Sequence, residues 1–175
     1  KKTGLTCNIL AEPSDTKIFR VASGTGFFVS KSGHVITNEH VINGCSDIKV
    51  HFKNEAMPSK IIAADRLNDL ALLRVKKSPE VVFELSPENP YLLQDVIAAG
   101  YPFGNKISNS IKVTRGVVSS LSGIGNNYSN IQIDAAIQPG NSGGPIINKK
   151  GNVVGVAVAK LDFAKIIEDF GSIPE

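Results

Sequence analysis

The sequence predicts an all-β protein made of two antiparallel β halves, with short helical turns and an atypical C-terminal segment. Three observations carry this. Short β-prone runs recur along most of the chain. Residues 47–53 alternate cleanly, with Ile48, Val50 and Phe52 on one face and Lys49, His51 and Lys53 on the other. That period of two marks a half-buried antiparallel strand. Residues 76–90, KKSPEVVFELSPENP, then interrupt the series with three prolines and mixed charge, and read as a linker.

In order along the first half, Ile18–Ala22, Thr25–Ser30 and His34–Thr37 come first, with Lys31-Ser32-Gly33 as a hairpin turn between the last two. The strand at 47–53 follows, and then runs at 59–64 and 69–75. A second series occupies 94–100, 111–121, 130–135, 144–148 and 152–159, punctuated by glycine, asparagine and serine, most heavily at 122–130. Many short strands with turn signals between them indicate a sandwich or barrel. The tail LDFAKIIEDF, 161–170, carries helical spacing at Phe163, Ile166, Ile167 and Phe170, with Gly171 as a stop signal. The organisation is an N-terminal β half over 1–80, a linker over 81–93 and a C-terminal β half over 94–175.

Bulk properties narrow the class. A chain of 175 residues, 42% hydrophobic and 20% charged, is an ordinary globular protein. The net charge of +3 is scattered, the longest basic runs being pairs such as Lys76–Lys77 and Lys149–Lys150, so nucleic acid is not an expected partner. No apolar run approaches the roughly 18 residues a membrane span needs. The chain begins at Lys1 rather than Met, which fits a processed or trimmed N-terminus. Two cysteines, Cys7 and Cys45, are too few for a disulfide framework; pairing in an oxidising compartment and two free buried thiols both stay open. No Cys-x-x-Cys and no histidine pair at ligand spacing is present, so neither a metal nor a cofactor is expected.

The chemistry centres on QPGNSGGP, 138–145. Gly140-Asn141-Ser142-Gly143-Gly144 satisfies G-x-S-x-G, a weak pattern by itself. The nucleophile elbow of the α/β-hydrolases requires a histidine after the serine. Here the three histidines, His34, His40 and His51, all precede Ser142, so that reading fails. An acid–histidine–serine order leaves only Glu12, Asp15 or Glu39, none well placed. The order histidine–aspartate–serine remains, which is that of the chymotrypsin-type double barrel.

His34 begins a strand after a hairpin glycine, and His51 lies on the polar face of an alternating strand. Both read as ordinary solvated side chains. His40 differs: it follows the capping-type pair Thr37-Asn38 at a strand end, where a short helical turn begins. Of the two nearby acids, Asp69 immediately precedes the apolar run Leu70-Ala71-Leu72-Leu73 and would sit at a barrel rim. Asp65, beside Arg66, reads as a turn residue, so Asp69 is preferred.

TNEHVI at 37–42, NDLALLRV at 68–75 and DAAIQPGNSGGPIIN at 134–148 resemble the three catalytic blocks of the HtrA/Deg family of trypsin-like serine proteases. The run GTGFFVSKSGHVITNEHV, 24–41, is similar as well, and the likeness covers roughly residues 18–160 in the family's order and spacing. The resemblance implies two six-stranded β-barrels of the chymotrypsin/trypsin type with the site in the crevice between them. It implies that His40 takes the proton of Ser142, that Asp69 orients His40, and that an acyl-enzyme forms on Ser142. The backbone N–H groups of Gly140 and Ser142 would form the oxyanion hole, a term worth roughly 3–4 kcal/mol per donor in related chemistry. Gly143 and Gly144 would let substrate and the opposing chain approach closely.

The digestive branch of the superfamily has aspartate before the serine, paired with a freshly cut N-terminus. Asn141 carries no charge and cannot form that pair, so control is expected from loop rearrangement, homo-oligomerisation or partner binding. Ile137 and Gln138, with the uncharged Ala136 before them, are expected to contact substrate. So are Val158, Ala159 and Lys160, which resemble the strand that pairs with substrate backbone. A small or medium apolar side chain is expected at the cleavage position. Asp134 is expected to hydrogen-bond its own loop, with tuning of specificity as the alternative.

Family members usually carry a PDZ region; none follows residue 160. The second half shows only five clear strands, so the family's final strand is expected to be missing or replaced by 161–175. The expected activity is a serine endopeptidase acting on unfolded or damaged protein in the periplasm or another extracytoplasmic space. The alternative is a protease-fold binding or chaperone-like module with little turnover.

Overall fold

The computed structural model describes residues 3–10, 18–53, 55–101, 110–138 and 140–158. The expected helix at 161–170 lies outside these residues. Among the described residues, twelve strands account for nearly all the regular structure, in two sheets.

The first sheet contains β1 (Thr3–Leu10), β2 (Ile18–Thr25), β3 (Phe27–Phe28), β4 (His34–Thr37), β5 (Asp47–Phe52), β6 (Glu55–Asp65) and β7 (Leu70–Val75). Their order is β2-β1-β5-β6-β7-β4-β3. The outer strands β2 and β3 are separated in the chain only by Gly26, so the two ends of the sheet meet and it curls into a barrel. β6 turns the corner. Its residues 55–58 pair with β5 and its residues 59–65 with β7.

The alternation read in β5 is reproduced: Ile48, Val50 and Phe52 are buried, and Asp47, Lys49 and His51 are half-buried on the other face. The same period places Val35 of β4 and Leu73 of β7 at 0% exposure, facing Val50 across the barrel. Each such side chain contributes roughly 1.5–3 kcal/mol through burial.

β1 is a strand that the sequence reading omitted, and it makes the first sheet seven-stranded where six were expected. It is central, pairing with both β2 and β5. Leu5 and Cys7 point inward, both 2% exposed. Interspersed Gly4 and Asn8 dilute the β signal, although the apolar residues still fall on alternate positions. Cys7 forms a disulfide with Cys45, closing the alternative left open above. The bond ties β1 to the turn that follows β4.

The second sheet contains β8 (Asp95–Gly100), β9 (Lys112–Ser120), β10 (Gln132–Ile133), β11 (Pro145–Asn148) and β12 (Val153–Val156), in the order β10-β9-β8-β11-β12. Val96 and Val118, both 0% exposed, centre its core, joined by Ala98, Ala135, Ile146 and Ala157. Five strands were expected here, and five are found among the described residues.

The connecting segment is tied to both sheets. Phe83 N–H donates to the Phe28 carbonyl at 2.8 Å, and the Phe83 ring stacks edge-on against Phe27. Val153 N–H then donates to Glu84 O, and Ser86 N–H to Val153 O, each at 2.8 Å. One segment thus adds a short parallel bridge, Leu85 to Val153, to the second sheet while plugging the first.

The disulfide closes a loop across a sequence separation of 38. By chain entropy it contributes roughly 2–4 kcal/mol. Cys45→Ser is expected to lower the unfolding free energy from urea titration by that much relative to the unreduced protein, and added reductant should then have no further effect.

Candidate active site

The candidate residues come from three chain segments whose geometry follows from local hydrogen bonding. β4 ends at Thr37, and Asn38 leads into one helical turn. Ile42 and Asn43 N–H both donate to the Glu39 carbonyl at 2.9 Å. The turn raises His40 clear of the barrel, with its side chain 50% exposed.

Asp69 lies just before β7 and meets His40 twice. Its Oδ1 accepts the His40 backbone N–H at 2.9 Å, and its Oδ2 is 2.7 Å from His40 Nδ1. A carboxylate only accepts, so Nδ1 carries the ring proton and Nε2 presents its lone pair. The backbone bond fixes the carboxylate before the ring engages it.

Asp69 adopts φ +52°, in the left-handed region that few non-glycine residues visit. Asn38 explains how it is held there. Its side chain is fully buried, and its Nδ2 donates to the Asp69 carbonyl at 2.8 Å. The Thr37 hydroxyl likewise donates to the Thr25 carbonyl at 2.8 Å. The pair Thr37-Asn38 therefore does not cap a helix, as its residue types suggested. Both side chains instead reach backbone carbonyls at the ends of neighbouring strands.

Asp65 does what a turn residue does. Its Oδ1 accepts from Leu67 and Asn68 N–H, and its Oδ2 from Asn68 Nδ2 at 2.6 Å. The Asn68 side chain, above all, holds the Asp65 carboxyl below its ordinary value. The other two histidines are engaged elsewhere. His34 Nδ1 lies 2.7 Å from Ser30 Oγ, and His51 Nε2 lies 2.8 Å from Thr6 Oγ1. Both are half-buried rather than simply solvated.

Ser142 comes from the loop before β11 and is 8% exposed. The loop folds on itself, with Asn141 N–H donating to Gln138 O at 2.9 Å and Gly144 N–H to Asn141 O at 2.8 Å. It is sewn to both barrels. The Ser142 carbonyl accepts Thr25 N–H at 2.8 Å, and Gly143 N–H donates to Ala157 O at 2.9 Å. Gly140 sits at φ +94° and Gly143 at φ +82°, backbone that a side chain strongly disfavours. A Cβ on Gly143 would also collide with the Thr25 carbonyl and the Thr37 hydroxyl and press on Asn38 N. The serine loop thus packs directly on the residues that precede His40. Asp134 bonds within its own half, its Oδ1 accepting Val117 N–H at 2.6 Å.

A groove of about 790 Å³ runs beside the site, bordered by Asp69 and Leu67 of the first half and by Ile124, Tyr128, Ile137 and Val158 of the second. Leu67 and Tyr128 are among the most exposed apolar side chains described, at 91% and 83%. Two of the expected substrate contacts, Ile137 and Val158, line the groove; Gln138 is exposed next to them. Ala159 and Lys160 lie outside the described residues. Thr25 is structurally central and was not singled out from sequence, since an isolated threonine gives no signal of what it will reach.

Comparison with known proteins bears on this arrangement. Residues 24–156 match the model of a trypsin-like peptidase domain. A Sinorhizobium fredii protein, y4bJ, is 44% identical over 155 residues, 88% of this chain and 24% of its own length. A probable periplasmic DegP-like serine endoprotease of Hahella chejuensis is 39% identical, over 77% of this chain and 29% of its own length. The chain thus spans 24–29% of the length of these curated relatives. A crystal structure of the serine endoprotease from Yersinia pestis superposes with a TM-score of 0.71 at 28% identity, covering 88% of this chain and 52% of that one.

Two outcomes are expected from the geometry. Gly143→Ala should lose at least 1–3 kcal/mol of stability in denaturant titration, from strain at a left-handed position and overlap with Thr25. Carboxyl titration by NMR should place Asp65 below 3.8. Its contribution to the turn is then complete above the unfolded-state value and is lost as pH falls through the lowered folded value.

Proposed function

The chain belongs to the trypsin-like peptidase domain family, and from that premise we propose that it is a serine endopeptidase with Ser142 as nucleophile. The observation that carries this is the double contact of Asp69 with His40, on a turn against which the Ser142 loop is packed. With Nδ1 occupied by Asp69, Nε2 of His40 is the base that receives the Ser142 hydroxyl proton as Oγ attacks a peptide carbonyl. The same proton then passes to the leaving amine. An acyl-enzyme remains on Ser142, and water activated by His40 releases it. The N–H groups of Gly140 and Ser142 receive the developing oxyanion. Asp69 stabilises the imidazolium and stays ionised throughout.

Substrate lies along the groove that Asp69 borders, with Ile137 and Val158 offering apolar surface. Small or medium apolar side chains suit that lining. An extended chain exposing such side chains is an unfolded or damaged protein, since folded proteins bury them. Gln138, Ala159 and Lys160 are assigned to the same substrate-binding stretch by resemblance. An extracytoplasmic, oxidising location is supported by the Cys7–Cys45 disulfide and by relatives described as periplasmic. Homo-oligomerisation is carried over from the family resemblance.

A fluorophosphonate probe tests the nucleophile, and casein hydrolysis tests turnover. Wild type should label and hydrolyse, while Ser142→Ala and His40→Ala should do neither. Asp69→Asn should lower kcat by about 10⁴ with the fold intact, because the ring loses its fixed tautomer. Labelling that persists in Ser142→Ala would refute the assignment. Casein binding without hydrolysis by wild type would favour the chaperone-like module instead.

A further inference from the structure

Thr25, the last residue of β2, is 3% exposed, and its polar groups meet four separate partners. Its N–H donates to Ser142 O at 2.8 Å, and its carbonyl accepts the Thr37 hydroxyl at 2.8 Å. Its own hydroxyl donates to the Gly140 carbonyl at 2.7 Å and accepts Tyr101 N–H at 3.0 Å. One buried side chain therefore touches the end of β8 and the proposed oxyanion loop together.

The role of the hydroxyl follows from what the rest of the loop does. The Asn141 N–H to Gln138 O bond holds the Gly140–Asn141 peptide from its N–H end, and the Gly144 to Asn141 bond braces the loop beyond it. Gly140 stands at φ +94°, and as glycine it can rotate to other conformations with little steric cost. The hydrogen bond from Thr25 holds the carbonyl end of that same peptide, so the plane is clamped at both ends. The Gly140 N–H, one of the two proposed oxyanion donors, lies in the preceding peptide and is joined to this plane only through the two torsions of Gly140, so a slack plane lets it swing.

We propose that Thr25 is a positioning residue for the reaction: its hydroxyl holds Gly140 with the N–H turned toward the oxyanion. This rests on the nucleophile assignment above. Three features make a hydroxyl on a β-branched residue the suitable group. It must donate to a carbonyl and accept from an N–H at once, which an apolar side chain cannot do. Its χ1 is restricted, so the hydroxyl keeps its place. Its burial removes competing water, so a lost partner leaves two backbone groups unsatisfied rather than solvated.

The test compares wild type with Thr25→Val, Thr25→Ser and Thr25→Cys on a fluorogenic peptide, well below each variant's unfolding midpoint. Thr25→Val keeps shape and removes the hydroxyl; kcat is expected to fall by ~10², approaching the loss of an oxyanion donor, with KM within about threefold. Thr25→Ser should recover kcat to within a few-fold, and Thr25→Cys should fall between. A peptide aldehyde, whose adduct carries the tetrahedral oxyanion, should lose affinity in parallel with kcat. Should Thr25→Val not fold, the Cys and Ser variants carry the comparison alone. Full kcat in Thr25→Val or Thr25→Cys, or no rescue by serine, would overturn the inference. Ser142→Ala separates the two readings: if it retains turnover the nucleophile assignment fails, and if it is inactive while Thr25→Val or Thr25→Cys is fully active only this inference fails.

Discussion

The hydrogen bond from the Thr25 amide to the Ser142 carbonyl is the constraint on which the site depends. The two sheets share no strand, so nothing in their own ladders fixes one against the other. His40 and Asp69 belong to the first barrel and Ser142 to the second. Chemistry between them requires positions reproducible to a fraction of an ångström. The amide bond extends the pairing of β2 by one step into the serine loop. Gly24 and Gly143 make it possible by leaving out side chains. A Cβ on Gly24 would lie 2.8 Å from Val41 and 3.0 Å from the Ser142 carbonyl. The absent side chains are what bring the backbones together.

Around that bond the first barrel is stiffened from behind. The disulfide pulls the turn after His40 onto β1, while Asn38 holds Asp69 in an unfavourable backbone conformation. Neither touches the reacting atoms. Together they define where a ring and a carboxylate stand before any substrate arrives, which is where electrostatic catalysis derives its strength. The strain at Asp69 and the two positive-φ glycines of the serine loop concentrate the costly backbone in one place, and the well-packed cores on either side offset it.

Much of this was readable from residue order and alternation. The β5 pattern, the hairpin at 31–33 and the turn after His40 are local, and local chemistry determines them. Histidine order excluded the rival serine fold without any structure. The preference for Asp69 over Asp65 came from an apolar run beginning right after it; in the structure the Asp69 carboxylate meets His40, and that of Asp65 bonds within its own turn. What could not be read is long-range. β1 was missed because Gly4 and Asn8 weaken the propensity, and its pairing with β5 spans some 45 positions. Thr37 and Asn38 were misread as capping residues because their side-chain chemistry suits a cap equally well. Only the tertiary fold decides which carbonyl they reach. The segment at 76–90 looked like a linker on composition, yet it also pairs with the second sheet and plugs the first.

The placement of the candidate residues at a seam has a consequence for cutting the chain. The described strands of the first sheet lie within residues 3–75 and those of the second within residues 95–156. A single cut in the segment between them leaves His40 and Asp69 on one piece and Ser142 on the other. Reuniting the three then requires the Thr25 amide to find the Ser142 carbonyl again, so the seam turns one chain into a pair of complementary halves.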